Sequence, residues 1–284
     1  MKPRRVPTPL TMLPGWGEVI PQPLGVVGII SPWNYPFQLA LVPVTGALAA
    51  GNRVLLKPSE HTPRTSELMA RLVATHFAED EFAVIEGDAE VGRAFASTRF
   101  DHLFFTGSTP VGRLVARAAA ENLVPVTLEL GGKSPALFDD SADWDLVVPR
   151  LVAGKLFNAG QTCIAPDYAV VPAQRLDAFV EKLAATVARF YPTLAANPDY
   201  TAIINERHYR RIAGLVADAK RKGAKVIELN PAREKLAPSK RKIAPTLLVG
   251  VTDDMAVMQE EIFGPVLPIE TYRSLDEAIA RIDA

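Results

Sequence analysis

The chain has 284 residues, of which 48% are hydrophobic and 22% are charged, and its formal net charge is −1 at pH 7. This balance is ordinary for a globular protein of one or two domains, and it gives no electrostatic reason to expect binding to nucleic acid or to an anionic membrane. The single cysteine cannot form an internal disulfide, and no Cys/His cluster has the spacing of a metal site. We therefore expect a cytoplasmic protein without a structural metal.

The first predicted element is an arm at residues 1–24, where prolines are frequent and no helical period is present. We expect an extended segment or a loose hairpin here. The apolar run at 25–30 is typical of a strand buried on both faces. The apolar helix predicted at 39–50 is too short to span a bilayer, and Gly51 stands where a helix C-cap is expected.

Strand and helix patterns alternate from here to about residue 135. Thr62 and Pro63 are typical of an N-cap and a first helical position, and further helices are expected to begin near Asp88 and Thr109. The predicted strands cover 53–57, 82–86, 102–106 and 125–129. This alternation predicts a parallel, doubly wound α/β sheet, which binds ligands at the carboxyl ends of its strands.

Longer helices characterise the second half of the chain. They are predicted at 145–158, 174–190 and 205–222, with strands at 225–229, 246–249 and 266–272. Ser274 and Glu277 have the pattern of a capping box that opens another helix. We expect this helix to stop after a few residues, as if the C-terminal part of its domain were missing.

Cys163 lies in the string Asn158-Ala159-Gly160-Gln161-Thr162-Cys163. A single thiol is more often a buried, inert side chain than a reactive one. Here the Gly-Gln-Thr run is expected to end the preceding helix near Asn158 and to hold the thiol on a loop. A thiolate in that position could attack an electrophilic carbon.

Two polar residues near predicted strand ends could assist such a thiol. Glu129 ends a strand just before two glycines, where it could be a general base facing the ligand crevice or simply a solvated edge residue. Asn34 lies between two prolines, where it could be a plain turn residue or a rigid amide that donates to an oxyanion. A donor of this second kind is typically worth about 3 kcal/mol of transition-state stabilisation.

Two other strings could bind parts of a dinucleotide. Between Gly107 and Gly112 a strand leads into a helix, whose N–H groups and dipole could attract a pyrophosphate, although this glycine spacing is not the usual fingerprint. Lys57 and Glu60 follow another strand and could hold ribose hydroxyls, or could be a plain surface pair. A glutamate there would repel a 2′-phosphate, which favours NAD over NADP. By its residues alone, the string at 259–266 fits only a helix C-terminus.

Together these strings resemble the NAD(P)-dependent aldehyde dehydrogenases, in which they occur in the same order. The string Thr162-Cys163-Ile164-Ala165-Pro166-Asp167-Tyr168 is most similar to the branch of fatty, aromatic and coniferyl aldehyde enzymes. The resemblance extends from about residue 20 to the last residue. It rests on the strings Pro32-Trp33-Asn34-Tyr35-Pro36, Lys57-Pro58-Ser59-Glu60, Phe105-Thr106-Gly107-Ser108, Glu129-Leu130-Gly131-Gly132-Lys133, Gly160-Gln161-Thr162-Cys163 and Glu261-Ile262-Phe263-Gly264-Pro265.

The resemblance implies a catalytic role for three residues. Cys163 would attack a small-molecule aldehyde to form a thiohemiacetal and then a thioester. The side chain of Asn34 and the backbone N–H of Cys163 would hold the oxyanion, and Glu129 would activate the hydrolytic water. The implied reaction is oxidation of an aromatic aldehyde such as coniferyl aldehyde, or of a fatty aldehyde, to the acid with NAD. Members of this branch can also use NADP.

The resemblance also implies a set of cofactor-binding residues. Lys57 and Glu60 would hold the adenosine ribose, and Glu261 would bind the nicotinamide ribose with Phe263 packed nearby. The pyrophosphate turn would be lined by Gly107, Ser108 and Gly112. Trp33 and Leu130, which lie in matched strings, belong to the same implied set.

The implied architecture is an aldehyde dehydrogenase-like α/β fold. It comprises a linking arm at residues 1–24, a Rossmann-like dinucleotide-binding domain at 25–135, and a catalytic domain at 136–284 that lacks its C-terminal part. Family members also have an N-terminal helical region and a C-terminal segment that pairs with a partner subunit in a homodimer, and neither segment is expected here. Two alternatives stay open, an inactive or merely cofactor-binding remnant and a CoA-acylating aldehyde dehydrogenase.

Overall fold

A computed structural model describes residues 2–283 of the chain. The chain divides into two compact units, Met1–Leu130 and Gly131–Ala284. Met1 and Ala284, the outermost residues of the predicted arm and of the predicted catalytic domain, lie outside the described residues. The boundaries of the arm and of the two functional domains stay predictions.

The first unit contains a hairpin followed by an α/β sheet. In the hairpin, β1 (Arg4–Val6) pairs antiparallel with β2 (Gly17–Val19), which confirms the hairpin expected in the arm. The strands of the sheet are β3 (Val26–Ile30), β4 (Arg53–Lys57), β5 (Phe82–Val84), β6 (His102–Thr106) and β7 (Val126–Glu129). The helices are α1 (Gln38–Ala49), α2 (Pro63–His76), α3 (Ala89–Ala96) and α4 (Thr109–Ala120).

This sheet is parallel throughout and has the strand order β5-β4-β3-β6-β7. Its apolar side chains alternate between two helical layers. Ile29 and Leu56 pack with α1 and α2, whereas Leu103 and Phe105 pack with α3 and α4. The predicted doubly wound parallel fold is therefore confirmed. The strand order reverses between β3 and β6, so the carboxyl ends of these strands form the edge where such sheets bind ligands.

Helix starts in this unit follow the sequence signals with one exception. Asp88 caps α3 by accepting hydrogen bonds from the N–H groups of Glu90 and Val91, at 2.9 and 3.2 Å. Thr62 precedes α2 as predicted, but its side chain makes no cap bond. Its hydroxyl donates instead to the carbonyl of Ser59 at 3.4 Å, because the Lys57–Glu60 turn offers a competing acceptor.

The second unit is a mixed sheet with its own helices. Its strands are β8 (Pro135–Leu137), β9 (Tyr168–Pro172), β10 (Lys225–Glu228), β11 (Thr246–Val249) and β12 (Val266–Tyr272). Its helices are α5 (Trp144–Leu156), α6 (Leu176–Phe190), α7 (Glu206–Arg221), α8 (Ala256–Gln259) and α9 (Leu275–Asp283). Across residues 2–283, no helix has both the length and the hydropathy needed to cross a membrane.

The strand order in this sheet is β10-β11-β12-β9-β8, with β10 antiparallel to its neighbour and the other strands parallel. Helices α5 and α6 cover one face through residues such as Leu151 and Leu183. Helix α7 covers the other face through Ile212. The fully buried strand β9 was not predicted, because its short apolar run carries no periodicity that separates a strand from a helix.

Two helix termini in this unit differ from expectation. Helix α5 ends at Leu156, slightly before the predicted end near Asn158, because Phe157 has an extended ψ of 128° and Asn158 and Ala159 adopt left-handed conformations with φ of 51° and 52°. At α9 the hydroxyl of Ser274 accepts from the N–H of Glu277 at 3.3 Å, as predicted. The Glu277 carboxylate, however, accepts from the N–H of Arg273 at 2.9 Å, so only half of the capping box forms as expected.

Candidate functional site

Cys163 lies on the loop between α5 and β9 in the second unit, and its side chain is half-buried. The N–H of Ala165 donates to the carbonyl of Thr162 at 3.0 Å and closes a turn around the thiol. The expectation that the thiol lies on a loop and not inside a helix is confirmed. A partly accessible thiol on a closed turn is suited to nucleophilic attack.

Gln161 anchors this loop two residues before the thiol. Its side chain is 2% exposed, and its amide nitrogen donates to the carbonyls of Asn158 and Ala202 at 2.9 and 3.2 Å. Its side-chain oxygen accepts from the N–H of Ile204 at 2.9 Å. Gln161 therefore ties the loop to the segment before α7, and a buried amide with three partners holds the backbone next to Cys163 in one position.

Gly160 lies against the string at 261–265. Its φ is 75°, and a Cβ atom there would lie 2.3 Å from the carbonyl oxygen of Gly264. Gly264 is itself confined, since a Cβ on it would lie 2.6 Å from Cδ1 of Ile212. Phe263 has a φ of 49°, which is uncommon for an aromatic residue and indicates local backbone strain. The structure thus brings the Cys163 loop against the Phe263 string.

Glu261 is half-buried, and its carboxylate lies directly on the Gly-Gly turn of the second unit. A Cβ atom on Gly131 would lie 2.0 Å from Oε2 of Glu261, and the N–H of Gly132 donates to the carboxylate. Burial raises the pKa of Glu261 and the nearby Asp167 raises it further, while the Gly132 N–H, Arg211 and Lys133 oppose the shift. The carboxylate therefore packs directly against this turn, which explains why Gly131 must lack a side chain.

If Glu261 holds the nicotinamide ribose, as the resemblance implies, replacing Gly131 by alanine is expected to displace its carboxylate and to weaken NAD binding by about tenfold or more, since a lost hydrogen bond to a charged group costs roughly 1.5–3 kcal/mol. Gly132→Ala is the matched control, because a Cβ there meets nothing within 4 Å and its N–H is kept. Titration calorimetry with NAD compares the two variants. Equal NAD affinity in both variants would contradict this role of Gly131.

Sequence reasoning missed the charged side chains around Glu261. Asp167 is 3% exposed and accepts hydrogen bonds from the ammonium of Lys133 and from the N–H of Ile262, the latter at 3.0 Å. Lys133 also donates to the carbonyls of Val257 and Glu260 at 2.9 and 3.2 Å. These contacts join the Gly-Gly turn, the end of the Cys163 loop and the start of the 261–265 string.

Arg211 and Lys155 complete this charged group. Arg211 of α7 donates to the carbonyls of Glu261 and Ile262. Lys155, in the last turn of α5, is 3% exposed, and burial lowers its pKa to about 8. Its one sequence signal is a position on the apolar stripe of α5, which also carries Val148 and Leu151. Nothing local in the sequence identifies Arg211.

In the first unit, the predicted base lies at the ligand-binding edge of the sheet. Glu129 is the last residue of β7 and is exposed, and its carbonyl accepts from the N–H of Gly107 at 3.0 Å. Asn34 and Trp33 are half-buried in the bend that follows β3. The unit thus brings Glu129 next to the turn after β6, at the edge that includes the Asn34 bend.

The turn from β6 into α4 is closely packed. A Cβ on Gly107 would lie 2.6 Å from the Phe105 ring, and one on Gly112 would lie 2.7 Å from Cδ2 of Leu130. Both glycines are therefore needed for the approach of the turn and the helix to their neighbours. Ser108 precedes α4 without a side-chain cap bond, so the first-turn N–H groups are presented for an anion.

Lys57 and Glu60 form a partly buried pair after β4. The Lys57 ammonium belongs to a side chain that is 3% exposed, donates to the carbonyl of Pro58 at 2.9 Å, and lies 3.5 Å from Oε2 of Glu60. His61 lies 3.9 Å from the other carboxylate oxygen. The Lys57 side chain is thus buried and not on an open surface, and its carbonyl and carboxylate partners compensate the burial of its charge.

Among the described residues, a buried polar group without a partner lies at the carboxyl edge of the first sheet. The hydroxyl of Ser31, at the carboxyl end of the central strand β3, is buried and has no hydrogen-bond partner within residues 2–283. A polar ligand or a water at this edge would satisfy it. Over the same described residues, no group of His, Cys, Asp and Glu side chains could hold a metal ion.

The sequence and the fold were compared with those of known proteins. The sequence model of the aldehyde dehydrogenase family matches residues 13–284. A coniferyl aldehyde dehydrogenase of a Pseudomonas species, strain HR199, is 56% identical over 264 residues, which are 93% of this chain and 55% of that protein. The chain spans about half the length of the curated relatives it matches.

Solved structures of aldehyde dehydrogenases are similar to this chain in both sequence and fold. The substrate-bound state of Staphylococcus aureus AldH matches with a TM-score of 0.91 and 44% identity, covering 99% of this chain and 60% of that one. The Mycobacterium tuberculosis aldehyde dehydrogenase complexed with NAD+ matches with a TM-score of 0.87 and 34% identity, covering 98% and 57%.

Proposed function

The chain belongs to the aldehyde dehydrogenase family, and on that premise we propose that it oxidises an aldehyde to the carboxylic acid with NAD or NADP. The observation that carries this proposal is the loop that holds Cys163. Gln161, through its buried hydrogen bonds, and Gly160, through its close approach to Gly264, fix the backbone just before the thiol. The thiol itself stays partly accessible. A purely structural cysteine needs no such support.

Cys163 is the proposed nucleophile. Its Sγ, as the thiolate, forms a bond to the carbonyl carbon, and the carbonyl oxygen becomes an oxyanion. The side-chain amide of Asn34 and the backbone N–H of Cys163 donate to this oxygen. When bound, NAD supplies the acceptor for the hydride that leaves the same carbon. Cys163 then carries the acyl group as a thioester.

Glu129 is the proposed general base for the second half of the reaction. It takes a proton from water, whose oxygen attacks the thioester carbon. The C–S bond breaks, the carboxylic acid leaves, and Cys163 returns to the thiolate. The position of Glu129 at the end of a strand that borders the ligand edge supports this role.

The residues proposed to hold the cofactor are those of the matched strings. Lys57 and Glu60 would bind the adenosine ribose, and Trp33 and Leu130 belong to the same proposed set. The uncapped first turn of α4, with Gly107, Ser108 and Gly112, would bind the pyrophosphate. Glu261, whose carboxylate lies against the Gly131-Gly132 turn, would bind the nicotinamide ribose beside Phe263. The negative charge of Glu60 favours NAD over NADP.

For the substrate we propose an aromatic aldehyde such as coniferyl aldehyde, or a fatty aldehyde. The support is the similarity to the coniferyl aldehyde dehydrogenase of Pseudomonas, at 56% identity. The test is NAD reduction by the purified chain with coniferyl aldehyde, a long-chain aldehyde and a small sugar aldehyde. Lack of turnover with every aldehyde, together with lack of NAD binding, would overturn the proposal. NAD binding without turnover would favour a cofactor-binding chain.

Glu129→Gln separates hydrolysis from acyl transfer to CoA. We expect steady-state turnover to fall by about 10²–10⁴-fold, the usual contribution of a general base, while a stoichiometric burst of NADH persists. Stopped-flow absorbance measures the burst. Acyl-CoA formation by the parent chain, at a rate that Glu129→Gln does not change, would favour the CoA-acylating alternative.

A further inference from the structure

The Glu60 carboxylate has two nitrogen-bearing neighbours, and the proposed function uses only one of them. Nζ of Lys57 lies 3.5 Å from one carboxylate oxygen, Oε2, and Nε2 of His61 lies 3.9 Å from the other, Oε1. The side chains of Glu60 and His61 are 37% and 29% exposed, whereas that of Lys57 is 3% exposed. Of the two neighbours, His61 is therefore the one that a ligand at this carboxylate can reach.

The Lys57 ammonium is enclosed and already has two acceptors. It donates to the carbonyl of Pro58 at 2.9 Å and to Glu60 at 3.5 Å. On its other side, a Cβ atom on Gly92 of α3 would contact its Cε at 3.9 Å. Lys57 thus balances part of the charge of Glu60, but its surface offers little room for a further anion.

The turn before α2 holds the backbone that carries the imidazole. The N–H of His61 donates to the hydroxyl of Ser59 at 3.2 Å, and Ser59 is 8% exposed. The carbonyl of Ser59 accepts from the hydroxyls of Thr62 and Ser66 at 3.4 and 3.1 Å. These bonds join the end of β4 to the first turns of α2 and keep His61 beside the carboxylate of Glu60.

The adjoining segments carry more carboxylates than cations. Their charged side chains are Arg64 and Glu67 on α2, Glu86 after β5, and Asp88, Glu90 and Arg93 at the start of α3. Arg93 is paired with Glu90, and Arg64 lies in the first turn of α2, which contains no acidic residue. An additional phosphate at Glu60 therefore needs a positive charge on the turn itself, and His61 is the group there that can supply it.

We propose that His61 determines whether this chain accepts NADP as well as NAD. As an imidazolium, His61 offsets the charge of Glu60 and donates a hydrogen bond to the 2′-phosphate of NADP. As a neutral imidazole, it leaves the carboxylate to repel that phosphate, and NAD, whose ribose carries a 2′-hydroxyl, is preferred. This role rests on the proposed function, which places the adenosine ribose at Lys57 and Glu60. His61 is a specificity-determining residue and takes no part in the chemical steps.

This role predicts a pH dependence for one cofactor and not for the other. Histidine is the type of side chain whose charge ordinarily changes between pH 5 and 8. NADP affinity should therefore fall as the pH rises, while NAD affinity changes little. The 2′-phosphate itself gains a proton near pH 6, which acts in the opposite direction, so a variant without the imidazole must supply the baseline.

The experiment measures NAD and NADP affinity of the 284-residue chain by titration calorimetry at pH 6, 7 and 8.5. We expect the parent to bind NADP about tenfold more tightly at pH 6 than at pH 8.5, the effect of one charge-assisted hydrogen bond. His61→Gln should bind NADP about tenfold more weakly than the parent at pH 6 and show no gain towards low pH. His61→Arg, whose charge does not titrate, should bind NADP at pH 8.5 as tightly as the parent does at pH 6.

Two comparisons separate this role from a general effect on the fold. NAD affinity is the internal control, because damage to the sheet edge would lower the affinity for both cofactors, whereas loss of the imidazolium lowers that for NADP alone. His76→Gln is the matched variant, since it makes the same chemical change in the last turn of α2, at the end of the helix opposite to Glu60. It should leave both affinities and their pH profiles unchanged.

Each failure has a distinct meaning. If His61→Gln binds NADP like the parent at every pH, or loses NAD and NADP affinity equally, the role of His61 is overturned and the proposed function stands. The same holds if the parent binds NAD but does not bind NADP more tightly at low pH. A parent chain that binds neither cofactor overturns the proposed function, and the role of His61 with it.

Discussion

Replacing Cys163 by alanine is expected to lower NAD-dependent aldehyde oxidation by at least about 10⁴-fold, as loss of a covalent nucleophile does in enzymes that form acyl intermediates. The side chain is half-buried on a loop, so its truncation leaves no large core cavity. NAD affinity and melting temperature should therefore stay close to those of the parent. The measurement is initial-rate NADH formation with a calorimetric NAD titration in parallel.

The single cysteine supplies an internal control for this variant. A thiol reagent should titrate one group in the unfolded parent and none in Cys163→Ala. In the folded parent, prior incubation with an aldehyde and NAD should slow the reaction of the reagent, because the acylated sulfur is blocked. A variant that oxidises aldehydes as fast as the parent would show that Cys163 is not the nucleophile.

The second large effect is expected for Gly160→Ala. The new Cβ would lie 2.3 Å from the backbone carbonyl oxygen of Gly264, and the φ of 75° is strained for alanine. The clash is with backbone, which cannot rotate away, so we expect a loss of at least about 3 kcal/mol in folding stability, as for other severe overpacking. Urea denaturation measures the loss. Any folded fraction should carry a displaced Cys163 loop and little activity.

Gly250→Ala is the matched control, because Gly250 has nearly the same φ, 74°, and a Cβ there meets nothing within 4 Å. Its cost should be about 1 kcal/mol, the penalty of the left-handed conformation alone. The difference between the two variants isolates the contact with Gly264. Equal costs would mean that the Cys163 loop does not depend on its approach to that carbonyl.

Much of the fold could be predicted from the sequence where signals are local. The strands of the first sheet, the first-turn prolines of α2 and α4 and the cap residue Asp88 each have a short-range signature, and the structure has these elements. The end of α5 could be placed only approximately, because no local signal marks the left-handed conformations of Asn158 and Ala159. Strand β8 was missed because three residues carry no measurable period.

In the candidate site, too, local features could be predicted from the sequence and contacts between distant residues could not. The strings that contain Cys163, Glu129, Asn34 and Glu261 could be recognised because their chemistry is carried by neighbouring residues. The reason for Gly131 could not be recognised, since its crowding atom belongs to Glu261, far along the chain. The network of Lys133, Asp167 and Arg211 was also invisible, because each residue looks like an ordinary surface charge until the chain is folded.

The sequence by itself determined the doubly wound α/β class, the family and the thiol on a loop, because these depend on short-range periodicity, turn residues and strings of adjacent side chains. The tertiary structure decided which side chains share a buried space. It alone places Glu261 against a glycine, Asp167 between Lys133 and the N–H of Ile262, and the buried Lys155 among the apolar residues of α5. Desolvation and Coulomb interactions act through space and not along the chain, so no local pattern records them.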